Sequence, residues 1–336
     1  MSREWPAGII RKTPVTPTGP YQDGTAPGVW TLDQMNYWLK QNLWPIAGSG
    51  TTPIGLFGGG TTGGVVNVID KVNIPNLGNA VDFGDLTVAR QDLAACSSST
   101  RGVFGGGFNG STQVNVIDYV TFLTSGNAAD FGDLVSGRAS LGGCSSSTRG
   151  VFAGGETSVG NTSSIVYITI ATTGNSTTFG NLLATTVQLA GCSSSTRGIF
   201  GGGGGPTNVI NYITISTTGN ATDFGDLTIA RYGLASCSSS TRGLFGGGSG
   251  SGGSTNVIDY ITIASVGNAI DFGDLTRSVT FIAGCSSSLR GLFAGGAGTN
   301  IIEYVTIASI GNAVDFGDLT LGRTALAGCS DSHGGL

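Results

Sequence analysis

Short apolar runs of four to six residues recur along the chain, each bounded by glycine, serine or asparagine, with a period of about 48 residues. One copy reads LAACSSSTRGVFGGG at residues 93–107 and NVIDYVTFLTSGNAADFGDL at residues 115–134. A landmark phenylalanine marks the copies at positions 57, 104, 152, 200, 245 and 293. Each copy predicts four strands. LAACS is small and apolar, SSTRG turns the chain, and GVFGG is the second strand. A variable Gly/Ser/Asn loop leads to a third, β-branched and aromatic strand such as NVIDYITI. A Gly-Asn turn then gives Phe-Gly-Asp-Leu, a short outer strand. Alternating β-formers between turn residues are hairpin signals. A helix is excluded because each interior glycine would cost about 1 kcal/mol. A sheet with two apolar faces cannot bury both alone, whereas sheets stacked in a ring can. The pattern therefore predicts an all-β, six-bladed propeller.

The two ends of the repeat region are complementary. The first copy starts at IGLFGGG, residues 54–60, and lacks its LAGCSSS strand. The last ends in LAGCSDSHGGL, residues 326–336, which supplies that strand and little else. The C-terminal strand is expected to complete the first blade beside residues 54–86. Two domains follow from this reading, an arm over residues 1–50 and the propeller over residues 51–336.

Arg90, the small strand of residues 93–96, Phe104, Gly106–Gly107, Tyr119 and Phe131 are spaced in a way that resembles the kelch repeat. Phe stands where kelch usually has Trp, and the arginine is replaced by Thr186 and Val279 in two copies. The resemblance implies a kelch-like propeller over about 285 residues and no particular activity.

Only 10% of residues are charged and the formal net charge is −5, without a basic stripe. Binding to nucleic acid by bulk charge is therefore excluded. No apolar run reaches the 18 or more residues of a membrane-spanning helix, so no membrane insertion is expected. The N-terminus MSREWPAGII lacks the apolar core of a signal peptide, which predicts synthesis in a cytoplasm.

The six cysteines, 96, 144, 192, 237, 285 and 329, hold one equivalent position per copy. Blades stacked at sheet spacing put them roughly 10 Å apart, and a disulfide needs Cα atoms within about 7 Å. Free, buried thiols on the inner strands are expected.

Residues 1–50 do not repeat. They hold all four tryptophans and six of the nine prolines. RKTPVTPTGPYQDGTAPG reads as an extended, polyproline-like strip. Residues 31–44 read as one short helix, with Thr31 as N-cap, Leu32, Met35, Leu39 and Leu43 on one face, and Pro45 after its end. Such a helix is marginal alone. It is expected to dock, either on the propeller's own side or on a larger assembly, and Trp30, Tyr37, Trp38 and Trp44 are the candidate contacts. The segment GIIRKTPVTPTGPYQDGTAPGVWTLDQMNYWLKQNLWP resembles the N-terminal segment of virion proteins of tailed bacteriophages, marine ones in particular. There it precedes varied C-terminal modules, Gly-rich CSSSTRGVFGGG-type repeats among them. The resemblance covers roughly 40 residues. It implies an assembly tag, other virion proteins of capsid or tail as partners, and location in the virion after assembly in a host cytoplasm.

Several motifs mimic catalytic chemistry. DFG occurs five times, opened by Asp82, Asp130, Asp223, Asp271 and Asp315, but it comes without a kinase catalytic loop or β3 lysine. CSSSTR has Cys-x4-Arg spacing, unlike a phosphatase loop. The glycine-rich stretches are not strand-to-helix turns. His333 is the sole histidine, and a lone histidine cannot build a typical zinc site. No enzyme, cofactor or metal is expected. Asp85, Asp133, Asp226, Asp274 and Asp318 of FGDL, with Asn181 as the exception, are expected to bond turn backbone or to pair with Arg101, Arg149, Arg197, Arg242 and Arg290. Those arginines form the candidate ligand face if they are free, fit for an anionic glycan. The loops at 108–113, 156–164, 204–207, 249–255 and 297–299 vary while the strands hold, which is where recognition is placed on a rigid scaffold. The reading is a non-enzymatic virion structural protein, with the propeller as an appendage, tail fibre or capsid decoration binding a host-surface glycan. A kelch-type cellular protein-interaction module is the alternative.

Overall fold

The computed structural model describes residues 52–336 together with the two short strands Glu4–Trp5 and Gly8–Ile9. The predicted helix at 31–44 and Trp30, Tyr37, Trp38 and Trp44 lie outside the described residues. The chain divides into two units, Met1–Thr52 and Pro53–Leu336. In the first, Glu4 and Trp5 pair antiparallel with Ile9 and Gly8.

The second unit is a six-bladed β-propeller, each blade a four-stranded antiparallel sheet. Blade 2 runs Ala94–Ser97, Arg101–Gly105, Val116–Thr121 and Ala129–Asp133 from the axis outward. These are the four strands the repeat predicts. In blade 1 the innermost strand is the C-terminal Ala327–Ser330, paired with Ile54–Gly58 through Gly55↔Ser330, Leu56↔Cys329, Phe57↔Gly328 and Gly58↔Ala327. The ring closes as the two ends of the repeat region require.

Six apolar clusters fill the six spaces between adjacent blades. Between blades 2 and 3, Cys96, Val103, Ile117 and Phe131 meet Phe152, Val166 and Ile168. The Cys144 thiol lies against the bare Cα of Gly198 in the next blade, where an added Cβ would come within 2.6 Å of Sγ. The same pairing of thiol and glycine recurs around the ring, which explains why Arg-Gly opens the second strand of blades 2–6. The double glycine is backbone-driven. Gly106 and Gly107 have φ of 67° and 113°, a region L side chains rarely adopt.

Blades are also sewn along their outer edges. Gly126 and Ala128 donate to the carbonyls of Phe83 and Asp85 in the preceding blade. Gly78 and Ala80 do the same to Phe316 and Asp318, across the closure. The outer strands, which would otherwise be open edges, are thereby partly paired.

Buried ion pairs brace the interior. Arg90 meets Asp118 at 2.7 Å, Arg231 meets Asp259 at 2.9 Å and Arg323 meets Asp70 at 2.8 Å, all fully buried. A β-bulge at Ile117/Asp118 lets the aspartate lie inward on its strand. Where the repeat changes, both partners change. Blade 4 has Thr186 and Asn211. Blade 6 has Val279, and Arg277, two residues earlier, reaches Glu303 at 3.5 Å. Blade 3 is the exception, with Arg138 buried and Val166 at the acid position.

All six cysteines are free and buried. Burial pushes every thiol up, that of Cys192 to about 12, which makes them poor nucleophiles. Labelling with a thiol reagent is expected to count six groups in denaturant without reductant and none in the native protein. A count of four or fewer in the denatured, unoxidised sample would contradict the free-thiol assignment.

Candidate binding face

The four-stranded blades give the ring two chemically different faces. One carries the turns between the first and second strands, residues 98–100 in blade 2, and the Gly-Asn turns. The other carries the variable loops between the second and third strands and the links between blades.

On the turn face the axis is plugged. Ser97, Ser193, Ser238, Ser286 and Ser330 each donate a hydroxyl proton to the serine carbonyl of the preceding blade, at 2.5–2.9 Å. Ser145 breaks the series, its Oγ lying 3.1 Å from His333 Nε2. Nε2 is also 3.3 Å from the Ser97 carbonyl, while the Gly335 N–H donates to Nδ1 at 2.9 Å. Nδ1 therefore accepts, and the neutral ring carries its proton on Nε2. Enclosure lowers the His333 pKa to about 4. A histidine with a lowered folded pKa binds its proton first in the unfolded chain. Its neutral form costs no stability above about pH 6.5, and the penalty grows as pH falls towards 4. His333→Thr places there the residue of Thr100, and is expected to flatten the fall in melting temperature between pH 6.5 and 4. Identical slopes for the two proteins would contradict the plug's protonation cost.

The arginines singled out by the sequence lie on this same face but are engaged. Arg101, Arg149, Arg197, Arg242 and Arg290 stack on Tyr119, Tyr167, Tyr212, Tyr260 and Tyr304, at 4.3–4.9 Å from the ring centres. Each also donates to a carbonyl of the next blade, as Arg149 does to Ile215 at 2.9 Å and Arg290 to Pro75 at 2.7 Å. Blade 1 loses both members together, carrying Ile54 and Lys71. None of these arginines pairs with an FGDL aspartate among the described residues. In FGDL it is the backbone N–H that bonds, Asp85 N donating to Asn127 Oδ1 at 3.1 Å and Asp133 N to Asn175 Oδ1 at 2.9 Å. The arginine ring is an inter-blade staple with partly exposed guanidinium groups.

The opposite mouth is built differently. Asp92, Ser140, Gln188, Gly233, Phe281 and Ala325 occupy one equivalent position, and all have φ between 55° and 63°. Their backbones close a ring around the axis. The N–H of Ser140 donates to Asp92 O, Gln188 to Ser140, Gly233 to Gln188, Phe281 to Gly233, Ala325 to Phe281 and Asp92 to Ala325, at 2.7–2.9 Å. Left-handed backbone costs about 1–3 kcal/mol at a non-glycine residue, and the hydrogen-bond ring holds it. The cavity inside is about 80 Å³, floored by the leucine or isoleucine that follows each of the six. It is too small for a drug-sized ligand, which leaves the rim as the candidate surface at this mouth.

The rim side chains share no chemistry. Asp92 and Gln91, bonded to each other at 3.0 Å, form one side. Burial raises the Asp92 carboxyl pKa. Tyr232 and Phe281, edge to face at 6.1 Å, lie two to three blades away. The variable loops rise beside them. Phe108 bridges Gln91, Glu156 bridges Ala139 and Ser249 bridges Tyr232. Glu156–Thr157 with Gly160–Asn161, and Ser249–Gly250 with Gly253–Ser254, form small extra hairpins. The sequence reading found the loops and missed the rim. Its signal was a column reading D, S, Q, G, F, A directly before an invariant aliphatic residue.

Fold and rim together define a β-propeller with one invariant and one diversified axial mouth. Among the described residues no group of three or more His, Cys, Asp or Glu could hold a metal ion, and no helix is long and apolar enough to cross a membrane. Compared with protein-family models and with curated proteins, the chain matches none.

Proposed function

We propose that the protein is a non-enzymatic virion structural protein of a tailed bacteriophage, attached through residues 1–50. Its propeller is displayed as an appendage, fibre or surface module, and its variable face binds a host-surface glycan. The observation that carries the binding half is the confinement of diversity. Six copies agree along strands and thiols and five share the staple, whereas the residues around one mouth and the loops beside it differ in chemistry from copy to copy. Scaffold positions are repeated and recognition positions are varied. The rim suits a neutral sugar, since Tyr232 and Phe281 offer rings to its C–H face while Asp92, Gln91 and Gln188 offer hydrogen bonds. An anionic glycan suits it less, because the arginines lie on the other face. The virion half rests on the resemblance of residues 1–50 to phage attachment segments. The non-enzymatic reading is supported by the half-buried, hydrogen-bonded histidine and the buried thiols.

Mass spectrometry of purified particles and a glycan array probed with the full chain test the two halves. The chain is expected in particles, and array binding is expected to fall at least tenfold in Phe281→Ala and Asp92→Ala. Blade 1 already carries alanine at that position, Ala325, so the ring should hold. A chain found only in the host cell and absent from particles would favour the kelch-type interaction module instead. Array binding untouched by both substitutions would remove the rim from recognition.

A further inference from the structure

The variable loop of blade 2 carries the one Asn-Gly pair in the chain, Asn109 and Gly110. Every other asparagine is followed by a residue with a side chain. The pair opens a tight turn in which Asn109 N donates to Thr112 O at 3.1 Å. Gly110 is exposed and has φ of 92°, a conformation glycine adopts without strain. The Asn109 side chain folds back along this turn. Its Oδ1 accepts from Ser111 N at 3.0 Å and from Thr112 N at 2.9 Å. Such a turn closes the side-chain amide onto the peptide that follows it. Two main-chain N–H groups on one carbonyl oxygen are also placed to stabilise negative charge developing there.

The asparagines of the Gly-Asn turns are an internal contrast. Asn127 Oδ1 accepts from Asp85 N of the preceding blade at 3.1 Å, and Asn175 Oδ1 from Asp133 N at 2.9 Å. The N–H that follows each is engaged as well, Ala128 donating to Asp85 O at 2.7 Å and Ser176 to Asp133 O at 2.8 Å. Gly110 N–H has no hydrogen-bond partner among the described residues. Its nitrogen is therefore a free nucleophile beside a polarised amide, unshielded by a Cβ. The loop is tied to the rim, Gln91 N donating to Phe108 O at 3.0 Å and Phe108 N to Gln91 O at 2.8 Å.

We propose that Asn109 is a self-modifying site, which the folded protein converts without an enzyme to aspartate and isoaspartate. Gly110 N loses its proton and attacks Asn109 Cγ. A C–N bond forms, the bond from Cγ to the side-chain nitrogen breaks, and that nitrogen leaves as ammonia with the proton. Solvent water then opens the resulting succinimide at either carbonyl. Opening at Cγ gives aspartate. Opening at the main-chain carbonyl gives isoaspartate, which runs the chain through Cγ. The aspartate product keeps the turn, since a carboxylate accepts the Ser111 and Thr112 N–H groups more strongly than an amide does. Isoaspartate lengthens the main chain inside the turn. Either product adds a negative charge beside Gln91 and Asp92. The effect on binding rests on reading the rim as the recognition surface, whereas the conversion does not.

The test incubates the native full chain at pH 8 and at pH 5 and maps its peptides by mass spectrometry. Conversion at Asn109 is expected to run at least tenfold faster than at any other asparagine. It is expected to be faster at pH 8, because the attacking nitrogen must lose its proton. Asn109→Gln, whose amide carbon is one methylene further away, should stay unconverted. An amide that persists at Asn109 in the native chain, while the urea-unfolded chain converts it, would show that the turn protects the group and would overturn the proposal. Equal rates at all asparagines would overturn it too. On the glycan array, the aged wild type and fresh Asn109→Asp are expected to shift binding in the same direction by at least threefold, and aged Asn109→Gln not at all. Unchanged binding by Asn109→Asp would overturn the effect on the rim and leave the conversion standing. A fresh chain that binds nothing on the array would overturn the glycan reading, and the conversion would still be read by mass.

Discussion

Deleting residues 326–336 is expected to leave no folded monomer. The deleted segment is the inner strand of blade 1, and its loss strips Ile54–Gly58 of four residue pairings. Leu326 leaves the cluster between blades 6 and 1, and Ala327 and Cys329 leave the one between blades 1 and 2. The serine ring loses Ser330 and the axis loses His333. The damage is not local, because each blade covers the faces of its neighbours and one missing strand opens the ring at two interfaces. Three buried side chains, a bare edge and a broken hydrogen-bond ring together exceed about 5 kcal/mol, comparable to the whole stability of many domains. The exposed edge then favours pairing with other chains. Light scattering and thermal melting should show unfolded or oligomeric material. A truncated monomer with an unchanged melting temperature would show that closure does not hold the ring.

The closure was legible because it is written as a missing strand at one end and a surplus strand at the other. The blade was legible because glycine and serine turns interrupt period-two apolar runs six times over. The staples were harder to read. Arg101 and its equivalents lie next in sequence to strands whose own tyrosines they cover, but their carbonyl partners belong to the next blade, 66–70 residues away in the chain for Arg101, Arg149 and Arg197. Sequence proximity to FGDL suggested ion pairs that the ring geometry does not make. The buried acids escaped notice because Asp118 stands in an otherwise apolar strand, and only the bulge lets it lie inward. The rim was invisible for a different reason. A motif is recognised by shared chemistry, and here the six residues share a backbone conformation instead.

Substituting Arg90 by methionine is expected to cost about 3–5 kcal/mol, because Asp118 is then left charged and buried without its partner. The same change at Arg138 is expected to cost less than about 2 kcal/mol. Arg138 donates only to the carbonyls of Gly154 and Ser164 and to Ser136 Oγ. Burial alone lowers its pKa, whereas at Arg90 the nearby Asp118 charge opposes the effect of burial. Removing Arg138 therefore trades lost hydrogen bonds against relief of an unpaired buried cation. Blade 3 also shows how to do without the acid. Thr87 N in blade 1 donates to Asp118 Oδ2 at 3.1 Å, whereas the equivalent Val135 N donates to Ser176 Oγ at 3.0 Å. The triple variant Arg90→Met, Asp118→Val, Ala128→Ser rebuilds blade 2 on that plan, with the serine supplying the acceptor that Thr87 loses. Denaturant midpoints should place the triple variant well above Arg90→Met alone and close to Arg138→Met. Equal losses for Arg90→Met and Arg138→Met would mean that pairing is not what the buried arginines contribute. A triple variant no more stable than Arg90→Met would mean that the copies are not interchangeable at this position, and that the blades are individually tuned.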